Sequence, residues 1–203
     1  MADYSELYFS NKKTSTRQGE LNVSGSPYLL AKYHVPLFWL ALFEREDIVD
    51  VRDDVWPHMV KSRLGAAALF SSRQAIMQRR FPSLRPQWHE QFKEFLLQVP
   101  FEYVHVDTSQ IGSISSTAQE WRADIETMLG LFSERPTSPL SELLGKLYYK
   151  WAPNPGWELF QMRLGAAFKN ADAETSWPYC GESGTDEPLP WEGSDDRGEG
   201  GTA

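Results

Sequence analysis

The segment Trp88-His89-Glu90-Gln91-Phe92-Lys93-Glu94-Phe95-Leu96-Leu97-Gln98-Val99, continued by Pro100-Phe101-Glu102-Tyr103-Val104-His105-Val106-Asp107, changes its period half-way. In its first half Trp88, Phe92, Phe95, Leu96 and Val99 recur at helical spacing and line one face of an amphipathic helix. After Pro100 the chain alternates aromatic and β-branched residues with polar ones, as a strand does. A helix that feeds a strand with no long connection sets the expectation of an α+β fold.

Further along, Trp121, Ile125, Met128, Leu129 and Phe132 repeat the helical spacing, and Thr117 with Glu120 forms a capping box ahead of them. A third stripe of Leu140, Leu143, Leu144, Leu147, Tyr148 and Trp151 is opened by Ser138 and Pro139. The short connection between these two stripes predicts adjacent helices with one shared core. Upstream, Pro36 precedes the apolar run Leu37-Phe38-Trp39-Leu40-Ala41-Leu42-Phe43, which reads as a short buried helix. Residues 4–9 read as a strand. Residues 66–70 read as another strand, with Ser71 and Ser72 capping a helix that follows. Helices therefore dominate this reading, with three or four strands in a single domain over residues 1–170.

The net charge of −8 is concentrated at the C-terminus. Residues 171–203 hold nine acidic residues against Arg197, together with six of the 14 glycines and three of the 13 prolines. Without a periodic apolar face such a segment is expected to be a disordered acidic tail. A chain ended at Asn170 is then expected to keep its melting temperature. The body is neutral overall yet polarised. Residues 44–54 carry a net charge of −4 and residues 59–93 a net charge of +6. The overall balance is wrong for a nucleic-acid-binding domain, which is expected to be basic. With no apolar run long enough for a membrane span, no leader-like N-terminus and one cysteine, Cys180, a cytoplasmic protein is expected.

Chemical motifs are sparse. Four histidines, His34, His58, His89 and His105, lack the spacing of a helical zinc site, and no metal or cofactor is expected. There is no nucleophile elbow and no phosphate-binding glycine loop. The one suggestive pair is His105 and Asp107, two apart on a strand and so on one face. A small hydrolase-type enzyme with its site assembled around them is the alternative reading. The leading one is a non-enzymatic protein-binding protein. Its partner-binding residues are then Asp50, Asp53 and Asp54 in the acidic stretch, Trp56 beside them, and Trp177 and Trp191 as aromatic islands in the tail. Tryptophans in such turn-like contexts are typical interface anchors.

Three stretches carry a resemblance: Tyr4-Ser5-Glu6-Leu7-Tyr8, Val35-Pro36-Leu37-Phe38-Trp39, and Ala68-Leu69-Phe70-Ser71-Ser72-Arg73. Together with the acidic tail and the surplus of aromatics they resemble small cytosolic bacterial toxin-immunity proteins. The resemblance implies a stoichiometric binder that neutralises a cognate toxin, with no catalytic residues, and the acidic stretches set the expectation of a basic toxin domain as partner.

Overall fold

The computed structural model describes residues 4–14, 27–32, 34–50, 56–81, 84–115, 117–132, 176–185 and 187–191. Its organising element is a six-stranded antiparallel sheet in the order β3-β4-β5-β1-β2-β6. The strands are β1 (Tyr4–Ser10), β2 (Tyr28–Lys32), β3 (Ile48–Asp50), β4 (Pro57–Ser62), β5 (Tyr103–Asp107) and β6 (Glu182–Ser183). Among the described residues the helices are α1 (Leu37–Leu40), α2 (Arg63–Ser72), α3 (Gln74–Arg80), α4 (Pro86–Gln98), α5 (Ser109–Ser115), α6 (Ala118–Leu129) and α7 (Trp177–Cys180). The fold is α+β, but the expected helix-dominated domain is corrected: a sheet of six strands carries it, not three or four. Two of the missed strands, β3 and β6, have three and two residues, too short to leave a periodic signal.

The strand expected over residues 66–70 is a second correction. Ala66, Ala67 and Phe70 form the buried face of α2, and the strand is the preceding Pro57-His58-Met59-Val60-Lys61-Ser62. Alanine is the best helix former, so the Gly-Ala-Ala-Ala run propagates a helix. Ser71 and Ser72 open no new helix. Their hydroxyls donate back to the carbonyls of Ala67 and Leu69, at 2.8 and 2.7 Å.

Elsewhere the periodic signals locate their elements. In α4, Trp88, Phe92 and Leu96 are buried, and Val99 just beyond it joins them. In α6, Trp121, Ile125, Met128 and Leu129 face the core. The Thr117 Oγ1 accepts from the Glu120 amide, and the Glu120 carboxylate accepts from the Thr117 amide at 2.8 Å. Those bonds hold the Glu120 carboxyl below its ordinary pKa. The close approach of α5 to α6 requires Gly112, where a Cβ would lie 2.6 Å from Trp121 Cδ1. The stripe over residues 140–151, and with it the expected helix pair, lies outside the described residues.

Alternation in the strands sorts the sheet into an apolar face and a polar one. Leu7, Phe9, Leu29, Ala31, Met59, Val104 and Val106 point into a core shared with Phe38, Trp39, Phe70, Phe92 and Trp121. Glu6, Tyr8, His58 and His105 occupy the alternate positions and are buried as well.

Two arginines, half-buried Arg63 and buried Arg73, close helix ends. Arg63 donates to the carbonyls of Leu96, Leu97 and Phe101, where α4 stops. Arg73 donates to the carbonyls of Ala41 and Phe43, at 3.0 and 2.6 Å, and stacks over the Phe132 ring at 4.8 Å. Carbonyls at a helix C-terminus have no partner within the helix, so a buried one needs a donor from elsewhere.

The disordered tail expected over residues 171–203 is corrected for residues 176–185 and 187–191. Here β6 extends the sheet beside β2. Trp191 is 5% exposed and packs on Phe92 and Phe95 with ring centroids 5.2 and 5.3 Å apart. Trp39 Nε1 donates to the Cys180 carbonyl at 2.8 Å, and Trp191 Nε1 to the Gly181 carbonyl at 3.2 Å. Gly181 has φ +81°, and a Cβ there would lie 2.5 Å from Trp39 Cζ2. This position accepts glycine because the backbone both turns and touches an aromatic ring. Composition suggests disorder, but Tyr179, Cys180, Leu189 and Trp191 bury enough surface to order it.

Candidate functional site

Two places concentrate the residues singled out by sequence. The first is the polar face of the sheet. His105 stands opposite Tyr8 of β1 and Val60 of β4, while Asp107 stands opposite Glu6 and His58. The pair expected on one face is on one face, and the register adds His58, Tyr8 and Glu6. Sequence spacing gave no sign of these three, because they come from different strands.

Within this group His58 Nε2 and His105 Nδ1 are 3.1 Å apart, with ring centroids at 5.4 Å. That separation fits two imidazoles meeting nitrogen to nitrogen along a nearly straight line, the geometry of one N–H···N bond. The Tyr8 hydroxyl lies 3.3 Å from the same His58 nitrogen, and the Tyr8 ring stacks on His105 at 4.9 Å with planes 5° apart. His105 is 0% exposed. Burial is the main reason its pKa falls to about 3, with the charge of His58 adding to it and the Lys12 backbone opposing. His105 therefore stays neutral.

The facing carboxylates of Glu6 and Asp107 would repel one another without local donors. Those donors come from the start of α5. The Ser109 amide donates to Asp107 Oδ1 at 2.8 Å, and Gln110 Nε2 donates to Glu6 Oε1 at 3.5 Å. Among the described residues no group of three or more His, Cys, Asp or Glu side chains could hold a metal ion. A base with its pKa near 3 is also poorly matched to proton abstraction near neutral pH. This arrangement suits a hydrogen-bonded core cluster better than a reaction centre.

The histidines make stability pH-dependent. Burial lowers His34 to about 4, and His105 to about 3, from an ordinary 6.5. Between those limits the unfolded chain binds more protons than the folded one, so stability falls as the pH is lowered through this window and is fully present above 6.5. From pH 7 to pH 5 each histidine should cost about 2 kcal/mol, read as a drop in the urea midpoint. In His105→Asn the drop should shrink by roughly half. An unchanged midpoint at pH 5 would mean that both rings are solvated.

The second place is the β3–β4 hairpin. Its register sets Asp50 opposite Pro57, so Asp50 and Trp56 lie at the same end of the edge strand. Trp56 is half-buried and packs against the core. Asp53 and Asp54 belong to the connection between them, which lies outside the described residues. At the other end of β3, Glu44 and Asp47 form a capping box around a 3-10 turn (Arg45–Asp47), and Lys61 Nζ bridges them at 3.0 and 2.7 Å. Those two carboxylates raise the Lys61 pKa, although burial opposes them. Part of the acidic stretch is thus neutralised within the chain, while Glu46 remains exposed.

The two tail tryptophans divide. Trp191 is committed to the core and cannot also be an anchor for a partner. Trp177 is half-buried and stands edge-on to His34 at 5.2 Å.

No family model, no curated protein and no solved structure matches this chain. Among the described residues no helix is long and apolar enough to cross a membrane.

Proposed function

We propose that this is a non-enzymatic protein-binding protein, with neutralisation of a basic bacterial toxin domain as its most concrete form. One observation carries the reading: the β3–β4 hairpin brings Asp50 and the half-buried Trp56 to one end of the sheet's edge, and the chain joining them contains Asp53 and Asp54. A partly packed tryptophan beside acidic groups has the make-up of an interface anchor inside a charged rim. A partner that must hold phosphate, such as a nuclease-type toxin domain, presents the complementary charge. The resemblance of the three stretches quoted above points the same way.

The hydrolase reading has one observation in its favour, the convergence of His105 on His58. The full burial of His105 and its low pKa weigh against a reacting base there, so the binding reading is preferred.

Charge complementarity sets the encounter rate more than the lifetime of a complex, and the buried anchor sets the lifetime. With a partner recovered from the native organism, replacing Asp50, Asp53 and Asp54 by Asn should slow association about tenfold at low salt and flatten its salt dependence. Trp56→Ala should leave association nearly unchanged and raise dissociation on the order of 30-fold, equivalent to about 2 kcal/mol. Circular dichroism checks that both variants keep the fold. Retention of no partner, together with turnover of a small molecule that His105→Ala abolishes, would replace this reading by the enzymatic one.

A further inference from the structure

Strand register gathers residues from distant parts of the chain at one end of the sheet. Asp50 faces Pro57, His58 faces Asp107, Asp107 faces Glu6, and Tyr4 faces Lys32. The end of β3, the start of β4, the end of β5, the start of β1 and the end of β2 therefore lie side by side. Trp56 immediately precedes β4 at this end. His34 follows β2 there, and Trp177 stands edge-on to its ring at 5.2 Å. Because β6 runs antiparallel to β2, with Glu182 opposite Leu30, the chain ahead of β6 also lies towards this end. Among the described tryptophans Trp56 and Trp177 are half-buried and the other four are buried. From β4 to β2 the sheet order leaves three strand spacings, so the two half-buried rings flank a row roughly 15 Å long.

The row between them is held in place by side-chain bonds. Gln110, in the first turn of α5, accepts from the Tyr4 amide at 3.3 Å and donates to the Glu6 carboxylate. Trp121 Nε1 donates to Thr108 Oγ1 at 2.8 Å, which sets the first turn of α6, with its exposed Glu120, beside the end of β5. Tyr4 and Asp107 are half-exposed. Acidic groups thus stand along the row at Asp50, Asp107 and Glu120, against the exposed Lys32 at the end of β2.

We propose that this whole end of the sheet, from Trp56 to Trp177, is one docking surface for a folded basic protein domain. It rests on the reading of the β3–β4 hairpin as a partner site and extends that site across four strands. A stable interface covers about 800 Å² on each partner, a patch nearly 30 Å across and wider than a hairpin tip offers. Two aromatic anchors in a rim of carboxylates supply the remainder: apolar contact where water is excluded, and a field that selects positive charge.

The experiment places the photo-cross-linking residue benzoylphenylalanine singly at Trp56, Tyr4, Trp177 or Leu97 of the full chain, expressed in the native organism. Leu97 is the control. It is 47% exposed, and its carbonyl accepts from Arg63, which follows β4 at the opposite end of the sheet. Circular dichroism checks the fold of each variant. Illumination should join positions 56, 4 and 177 to one and the same basic polypeptide, at yields at least about tenfold above position 97. Combining Asp50→Asn, Asp53→Asn and Asp54→Asn should lower all three yields about tenfold. Adducts at position 56 alone would overturn the extended surface and leave the hairpin as a partner site. No adduct at any of the three positions would overturn both readings. Different polypeptides at 56 and 177, an acidic polypeptide, or yields no higher than at position 97 would also overturn the surface. So would cross-links from 56 and 177 that map to one run of about six residues, the mark of an extended tail rather than a folded domain. Should the change at 177 loosen the fold, position 4 alone decides the outcome.

Discussion

A chain ended at Asn170 is expected to melt more than 10 °C below the full chain, or to lose its cooperative transition. Such a truncation removes Tyr179, Cys180, Leu189 and Trp191, all buried in the core cluster. It also uncovers Trp39, which is 0% exposed and gives its indole hydrogen to the Cys180 carbonyl. Burying a large apolar side chain contributes about 1.5–3 kcal/mol, so losing three or four of them removes roughly 5 kcal/mol or more. That is comparable with the whole stability of an ordinary domain, about 5–15 kcal/mol. For a chain of this size each kcal/mol shifts the midpoint by about 2–4 °C. A thermal scan followed by circular dichroism decides it. A shift below about 3 °C would mean that residues 176–191 do not pack on the body and that the composition break near Asn170 is the true domain edge.

The second large effect is expected at Arg73. Its guanidinium reaches two carbonyls just beyond α1 and lies on the face of Phe132, so one side chain ties together the first helix, the end of α2 and the turn after α6. Burial lowers its pKa, with the charges of Glu44 and Asp47 opposing, and it remains charged because a guanidinium titrates far above neutrality. Arg73→Ala strands the Ala41 and Phe43 carbonyls in the interior and leaves a void under Phe132. Each unsatisfied buried acceptor costs about 1–3 kcal/mol, so the total loss should reach about 3 kcal/mol or more. The urea midpoint measures it, with Arg45→Ala as the control at an exposed position, where a change within about 0.5 kcal/mol is expected. Equal midpoints for the two variants would show that the Arg73 side chain lies in solvent.

Several features were legible in the sequence because they are local. The α4 stripe, the Thr117–Glu120 box, the proline-led α1 and the β5 alternation each depend on residues a few positions apart. The placement of His105 and Asp107 on one face was equally local, following from the two-residue repeat of a strand.

What tertiary structure decided is what depends on register and on distant partners. His58 meets His105 because β4 pairs with β5 at Val60, and Tyr8 joins them because β1 pairs on the other side. No spacing within the chain encodes either alignment. The strand β6 exists because β2 offers an open edge, not because two residues prefer extension. The acidic tail reads as disordered by average composition, yet Trp191 finds a site between Phe92 and Phe95 that only the assembled body provides. Local sequence determined the long periodic helices and β5 and where their apolar faces lay. The assembled sheet alone determined which polar side chains met and which tryptophans were buried or left half-buried, because those outcomes depend on contacts between residues far apart in the chain.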